Sequence, residues 1–290
     1  MPELIVAAIF FVLGTVAGSF LNVCIHRLPR DQSIVNPPSH CPACGHRLRP
    51  ADLIPLLSFL VLGRKCRYCG AAIGWRYFLV ELLTGVAFAA AWLTSPEVWT
   101  GGAPALASLG AKLVFAALFI AIFFIDLEHM MIPDELAFTG IGVGVALDIA
   151  GLLLWGQPLL TVLVPWTSWT LSVPRSLAGI VVGALFFIIV ELLSQLIFRK
   201  EGMGGGDLKL GAAIGAFLGP GLALLTFGLA VVSGAIIGVA LIVTRVRKRH
   251  EYIPFGPFLT VCALAVMLFP GAISEAARRA YEAWYFTWAG

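Results

Sequence analysis

The chain has 290 residues, 60% of them hydrophobic and 12% charged, with a mean hydropathy of +0.95. That composition lies far outside the range of soluble globular domains and reads as a polytopic membrane protein. The formal net charge of +3 is small; no nucleic-acid partner is expected, and the placement of the charges says more than their sum.

Met1-Pro2-Glu3 lacks the basic start of a signal peptide, and the apolar run after it has no convincing cleavage site, so 4–22 is expected as a retained first span,. The polar stretch that follows, 23–76, carries Cys41-Pro-Ala-Cys44-Gly45 and, twenty-one residues on, Cys66-Arg-Tyr-Cys69-Gly70. Each Cys-x-x-Cys pair can put two thiolates on one metal, and the following glycine permits the turn that aims backbone N–H groups at sulfur. Cys41, Cys44, Cys66 and Cys69 are therefore expected to hold one structural zinc; two disulfides or redox pairs are the alternatives. His40 and His46 flank the first pair and read as solvated loop residues. Between the pairs, 52–62 is apolar but too short to span, and suits the membrane surface, a substrate groove or the core of the zinc subdomain. Cys24 and Cys262, in or beside apolar segments, read as small packing residues.

Beyond the loop, apolar runs at 77–94, 108–125, 136–156, 177–197, 221–243 and 253–271 approach or reach the ~20 residues a bilayer helix needs,. A shorter run, 207–219, is rich in glycine and alanine and is either a tilted span or re-entrant. Lys and Arg residues decide, because cytoplasmic loops collect them. Eight lie in 23–76, three in 198–209 and four in 245–249, out of nineteen. All fifteen share one side only if 207–219 crosses. The expected fold is thus all-α and polytopic, with about eight transmembrane helices, the N-terminus outside, and a cytoplasmic zinc-binding loop between the first two spans. The expected division is 1–22 first span, 23–76 four-cysteine loop, 77–271 helical membrane domain and 272–290 C-terminal tail.

With that topology Asp126, in Phe124-Ile-Asp-Leu127, and Asp207, in Gly204-Gly-Gly-Asp-Leu208, lie at the same leaflet. A charged aspartate at a helix centre costs roughly 2.5–3.5 kcal/mol on the insertion scale, so two at one depth ask for a shared function. Two carboxylates brought close do not both ionise easily. One then deprotonates a water while the other donates to a carbonyl oxygen, which is the chemistry of an aspartic protease. Glycines beside Asp207 suit a tight helix entry, and small residues at Gly211, Ala212, Ala213, Gly215 and Ala216 suit close packing. Lys209 is read as support for the site, acting on Asp207 or on substrate, with snorkelling to headgroups as the alternative. Asp134 and Glu135 suit the first turn of the fourth span. Glu81 and Glu191 call for a basic partner, with Glu81 also able to reach the site, and Asp148 has no evident one.

Taken together, Gly18-Ser-Phe-Leu-Asn-Val-Cys-Ile-His-Arg-Leu-Pro29, both cysteine pairs, Phe124-Ile-Asp-Leu-Glu-His-Met-Met-Ile-Pro-Asp134 and Gly202-Met-Gly-Gly-Gly-Asp-Leu-Lys209 resemble the prepilin peptidase family. These are the GxGD-type membrane aspartic proteases of type IV pilus and type II secretion systems. The resemblance implies that Asp126 and Asp207 are the catalytic pair, with Gly204 and Gly206 the glycines of Gly-x-Gly-Asp. It implies cleavage of type IV prepilins or pseudopilins after a glycine on the cytoplasmic side of an inner membrane, with membrane lipid as the surrounding partner. For bifunctional members it implies N-methylation of the new N-terminus by S-adenosylmethionine, with the cysteine loop associated with that activity. No cofactor-binding residues are assigned. The alternatives are a peptidase without methylation and a proton-coupled transporter with a structural zinc site.

Overall fold

A computed structural model describes residues 2–163, 170–198, 204–244 and 254–289. The basic cluster at 245–249, Arg199 and Lys200, and Gly202-Met203 of the glycine motif lie outside the described residues. The chain divides into two compact units, Met1–Pro133 and Asp134–Gly290.

In the first unit, α1 (Pro2–Arg27), α3 (Trp75–Leu93) and α4 (Gly102–His129) pack as long helices. Between α1 and α3 runs the cysteine loop, which contains the short helix α2 (Leu57–Val61). The α1–α3 contact is made by glycines: a Cβ on Gly14 would lie 2.5 Å from the Thr84 carbonyl oxygen, and one on Gly18 would lie 2.7 Å from the Glu81 Cα. Small residues four apart let backbones approach and replace the hydrophobic driving force that lipid does not supply. At the other end of α3, Arg76 Nη1 meets Glu128 Oε2 at 2.6 Å, tying its first turn to the last turn of α4.

The second unit holds α5 (Asp134–Trp155), a hairpin of β1 (Leu160–Leu163) and β2 (Thr170–Val173), α6 (Arg175–Phe198), α7 (Gly205–Val243), α8 (Gly256–Leu268) and α9 (Pro270–Ala289). The strands are antiparallel, Leu160 opposite Val173 and Leu163 opposite Thr170, in a link where the sequence offered no strand expectation. Asp148, without a partner in the sequence reading, accepts the Ser176 N–H at 2.8 Å. It thus satisfies one of the orphan donors at the start of α6, where a negative charge is favoured.

The thirty-nine residues of α7 are interrupted at Gly219, whose φ of 73° and ψ of 174° are not helical, followed by Pro220. Phe187 of α6 would meet a Cβ on Gly211 at 2.3 Å, and its ring also lies 5.1 Å from that of Phe227. In one straight helix residues 211 and 227 would be about 24 Å apart. The chain therefore turns back at Gly219–Pro220, giving the two helical segments expected at 207–219 and 221–243. Among the described residues, six helices are long and apolar enough to cross a membrane, or seven if the pair Gly256–Leu268 and Pro270–Ala280, bent by 108°, is one span; this count takes α7 as one. Counting its two arms separately brings the architecture to the expected eight. Outward faces are apolar, with Leu153 and Leu196 each 79% exposed, as lipid-facing surfaces require,. The expected tail is helical as α9, where Arg278 and Arg279 pair with Glu275.

Candidate catalytic and metal-binding residues

Asp126 lies in the last turn but one of α4 and is 6% exposed. Its carbonyl oxygen accepts the Met130 N–H at 2.9 Å, where Met130, at φ 54°, closes the helix in a left-handed cap,. The Arg76–Glu128 pair two residues on fixes that end of the helix against α3. Asp207 is in the first turn of α7, also 6% exposed, and its N–H bonds the Gly204 carbonyl at 3.1 Å. The two carboxylates occupy opposite helix ends: the start of α7 attracts negative charge, whereas the end of α4 does not.

A Cβ at Gly204 meets nothing within 4 Å, so at that position the extended backbone that enters α7, φ −77° and ψ 148°, is the visible requirement. Lys209 Nζ pairs with Asp134 Oδ1 and lies 5.7 Å from the Phe138 ring, joining the first turns of α7 and α5. Asp134 thus has a specific partner beyond the helix end foreseen for it. Glu191 accepts from Gln195 at 2.7 Å, one turn along α6.

The four loop thiols come together, their sulfurs all within 4.8 Å of one another. Cys41 and Cys69 Sγ are 3.9 Å apart, against the about 3.8 Å that a tetrahedral Zn–S₄ centre with ~2.3 Å bonds requires,. Both pairs are built alike. Cys41 N–H donates to His46 O and Gly45 N–H to Cys41 O, at 2.9 and 2.8 Å. Cys66 N–H donates to Ala71 O and Gly70 N–H to Cys66 O, at 2.8 and 2.9 Å. Gly45 and Gly70, at φ 68° and 72°, make the left-handed turn after each pair,. No cysteine is bonded to another in this structure. Backbone N–H groups of Tyr68 and Cys69 bring the Cys66 thiol down to about 7. At Cys69 the Ala71 N–H pulls the same way, but burial and the neighbouring thiols push it up to about 11. A cation held among the four would require each of them to give up its proton. His46 stacks on Tyr68, with ring centroids 3.7 Å apart, and His40 Nδ1 lies 3.0 Å from the Pro38 carbonyl oxygen.

Sequence reasoning missed the polar anchors of this loop. Asp52 receives Arg67 Nε at 2.7 Å and the Tyr68 hydroxyl at 2.9 Å, linking the apolar stretch to the second cysteine pair. Arg27, buried, donates to Ser33 O and Pro37 O at 2.8 and 2.6 Å, and Glu81 Oε2 accepts the Leu56 N–H at 2.8 Å. The stretch 52–62 divides its faces: Leu57, Leu60 and Val61 are exposed, while Phe59 is buried against Trp75 and Phe78.

Comparison with known proteins gives one family. The Bacterial Peptidase A24 N-terminal domain profile matches residues 12–95, and the Type IV leader peptidase family profile matches 113–239. The chain is 34% identical over 287 residues to the prepilin leader peptidase/N-methyltransferase of Pseudomonas aeruginosa, covering 91% of this chain and 90% of that protein. It is 38% identical over 241 residues to that of Myxococcus xanthus, covering 83% and 64%, and 33% identical over 305 residues to that of Aeromonas hydrophila, covering 97% and 93%. No solved structure matches the chain.

Proposed function

The chain belongs to the type IV leader peptidase family, and from that premise we infer a membrane enzyme with two activities: cleavage of prepilin leader peptides, and methylation of the amine that cleavage frees. The observation that carries the peptidase reading is a pair of aspartates, Asp126 and Asp207, each 6% exposed at a helix end inside the matched segment 113–239. Buried acids at such ends are costly without a purpose. In this reading the two act on one peptide bond. One carboxylate takes a proton from the attacking water; the other, protonated, donates to the carbonyl oxygen as it becomes tetrahedral. Gly204 and Gly206 shape the approach to Asp207, and Lys209, through Asp134, holds the first turn that carries it.

The substrate is a type IV prepilin or pseudopilin, cut after the glycine of its leader at the cytoplasmic face of an inner membrane. The fifteen Lys and Arg of 23–76, 198–209 and 245–249 support that orientation,. Cys41, Cys44, Cys66 and Cys69 hold a structural zinc: four protein thiolates close the coordination sphere, so the ion's contribution is to fold the loop. S-adenosylmethionine supplies an electrophilic methyl group for the second activity.

Prepilin cleavage by Asp126→Asn, Asp207→Asn and the double variant tests the pair, in protein that still inserts. Each single change should slow cleavage by about 100- to 10,000-fold, the usual worth of a positioned acid or base. Residues acting as one unit are not additive, so the double variant should lose little more. Near-normal cleavage by either single variant would sink the proposed dyad.

A further inference from the structure

Under the cysteine loop the first unit has a partly open cavity of about 450 Å³, within the ~300–1,000 Å³ of small-molecule sites. The ends of α1 and α3 meet the loop around it, and Phe59, Tyr68 and Tyr77 share its walls with Asn22, Arg27 and Glu81. None of its polar groups has a part in peptide cleavage as described above.

Two of them point to an occupant. Asn22, 4% exposed, donates its Nδ2 to the Tyr77 carbonyl at 3.0 Å, while its Oδ1 is buried with no hydrogen-bond partner. Such an oxygen is costly unless something brings it a donor. Glu81, 9% exposed, is a carboxylate set into the same wall, held in place by neutral donors, the Leu56 N–H and the Ser19 hydroxyl, and by the close α1 approach at Gly18. A buried carboxylate calls for a positive partner, and the described salt bridges give it none within the unit. An occupant that satisfies the wall has a positive centre, N–H donors and a flat ring for the aromatic side chains. Of the other charged groups on the lining, Asp52 and Arg67 pair with each other and Arg27 is engaged by the Ser33 and Pro37 carbonyls, which leaves the Glu81 carboxylate as the charge to be met.

We propose that this cavity binds S-adenosylmethionine, with Glu81 facing the ligand's positive charge and Asn22 Oδ1 accepting one of its N–H groups. The assignment rests on the methyl-transfer reading and gives that activity a place in the first unit, separate in sequence from both aspartates. It also gives the cysteine loop a role as the cover of a ligand site.

The test is equilibrium binding of S-adenosylmethionine and of its neutral thioether product, S-adenosylhomocysteine, to purified full-length, zinc-loaded protein. Glu81→Gln, which keeps an acceptor for Leu56, should raise the Kd of the sulfonium by about 10-fold and that of the thioether by clearly less. Asn22→Leu should weaken both. Ultraviolet crosslinking of radiolabelled S-adenosylmethionine to the unmutated protein should label peptides within 19–81. Label confined to 134–290, or unchanged Kd values in both variants, would overturn the assignment and leave methyl transfer standing. Absence of binding by the unmutated protein would remove methyl transfer itself.

Discussion

Asp52 gathers three donors, Arg67 Nε at 2.7 Å, the Tyr68 hydroxyl at 2.9 Å and the Arg49 N–H at 3.1 Å, on a carboxylate that is 3% exposed. The Arg67 hydrogen bond holds its carboxyl below the usual carboxylate range, against some loss of hydration, with Arg49 and Tyr68 adding to it. A depressed folded value means that the stabilisation is complete above the ordinary aspartate value of about 4 and is lost as pH falls through the lower, folded value. Asp52→Asn should therefore destabilise the protein at pH 7, by about 1–3 kcal/mol for hydrogen bonds to a charged group. Melting curves of both proteins should converge as pH falls below about 4, and a constant difference across that range would count against the charge as the cause. At this scale the sequence was legible where chemistry is local. Cys-x-x-Cys-Gly needs only its own turn, so the cysteines were found without knowing the fold. Glu81, Asp148 and Asp52 bond to Leu56, Ser176 and Arg67, partners supplied by other segments, and a single sequence gives no register for those meetings.

Helix contacts in both units are set by glycine. On α6 and the first arm of α7, a Cβ on Gly179 would lie 1.9 Å from the Gly215 carbonyl oxygen, and one on Gly183 would lie 2.2 Å from that of Gly211. These are backbone atoms, so no side chain can move aside. Arg175 closes the same seam, its Nη2 3.4 Å from the Leu218 carbonyl at the end of the first arm. Gly215→Ala should cost about 1–3 kcal/mol, as overpacking does, and Gly228→Ala, with nothing within 4 Å of its Cβ, should stay within about 1 kcal/mol of the parent,. Thermal unfolding in detergent reads both; equal effects would mean that the seam tolerates separation. The small residues of 211–216 announced close packing, and Gly219–Pro220 announced the break. The partner helix was hidden, as was the α1 seam at Gly14 and Gly18, because a four-residue spacing of glycines does not say what it meets.

Across the whole chain, charge orders the spans. Fifteen of nineteen Lys and Arg belong to three polar stretches; the common side proposed for them needs the fourteen residues Gly205–Leu218 to cross, and the proposed eight spans need the thirteen of α8 to cross as well,. Straight helices of these lengths reach about 20 Å against a hydrocarbon core of about 30 Å, so both arms depend on polar turns set below the surface. At one, Gly219 and Arg175 meet; at the other, the chain bends by 108° into α9, whose ion-paired arginines suit an interface,. Arg278 and Arg279 then fall on the outer side, against the charge rule but far from the first helices that dominate orientation. Exposed positions Gln32, Thr100 and Ser274 report the outcome through single cysteine replacements labelled with an impermeant thiol reagent in intact cells. Thr100→Cys and Ser274→Cys should label from outside and Gln32→Cys only after lysis. If Ser274→Cys behaved like Gln32→Cys, the number of crossings after α3 would be odd, and either the first arm of α7 or α8 would enter and leave by one face. Asp207, ahead of both, would still share its leaflet with Asp126, so this experiment separates the span count from the peptidase reading.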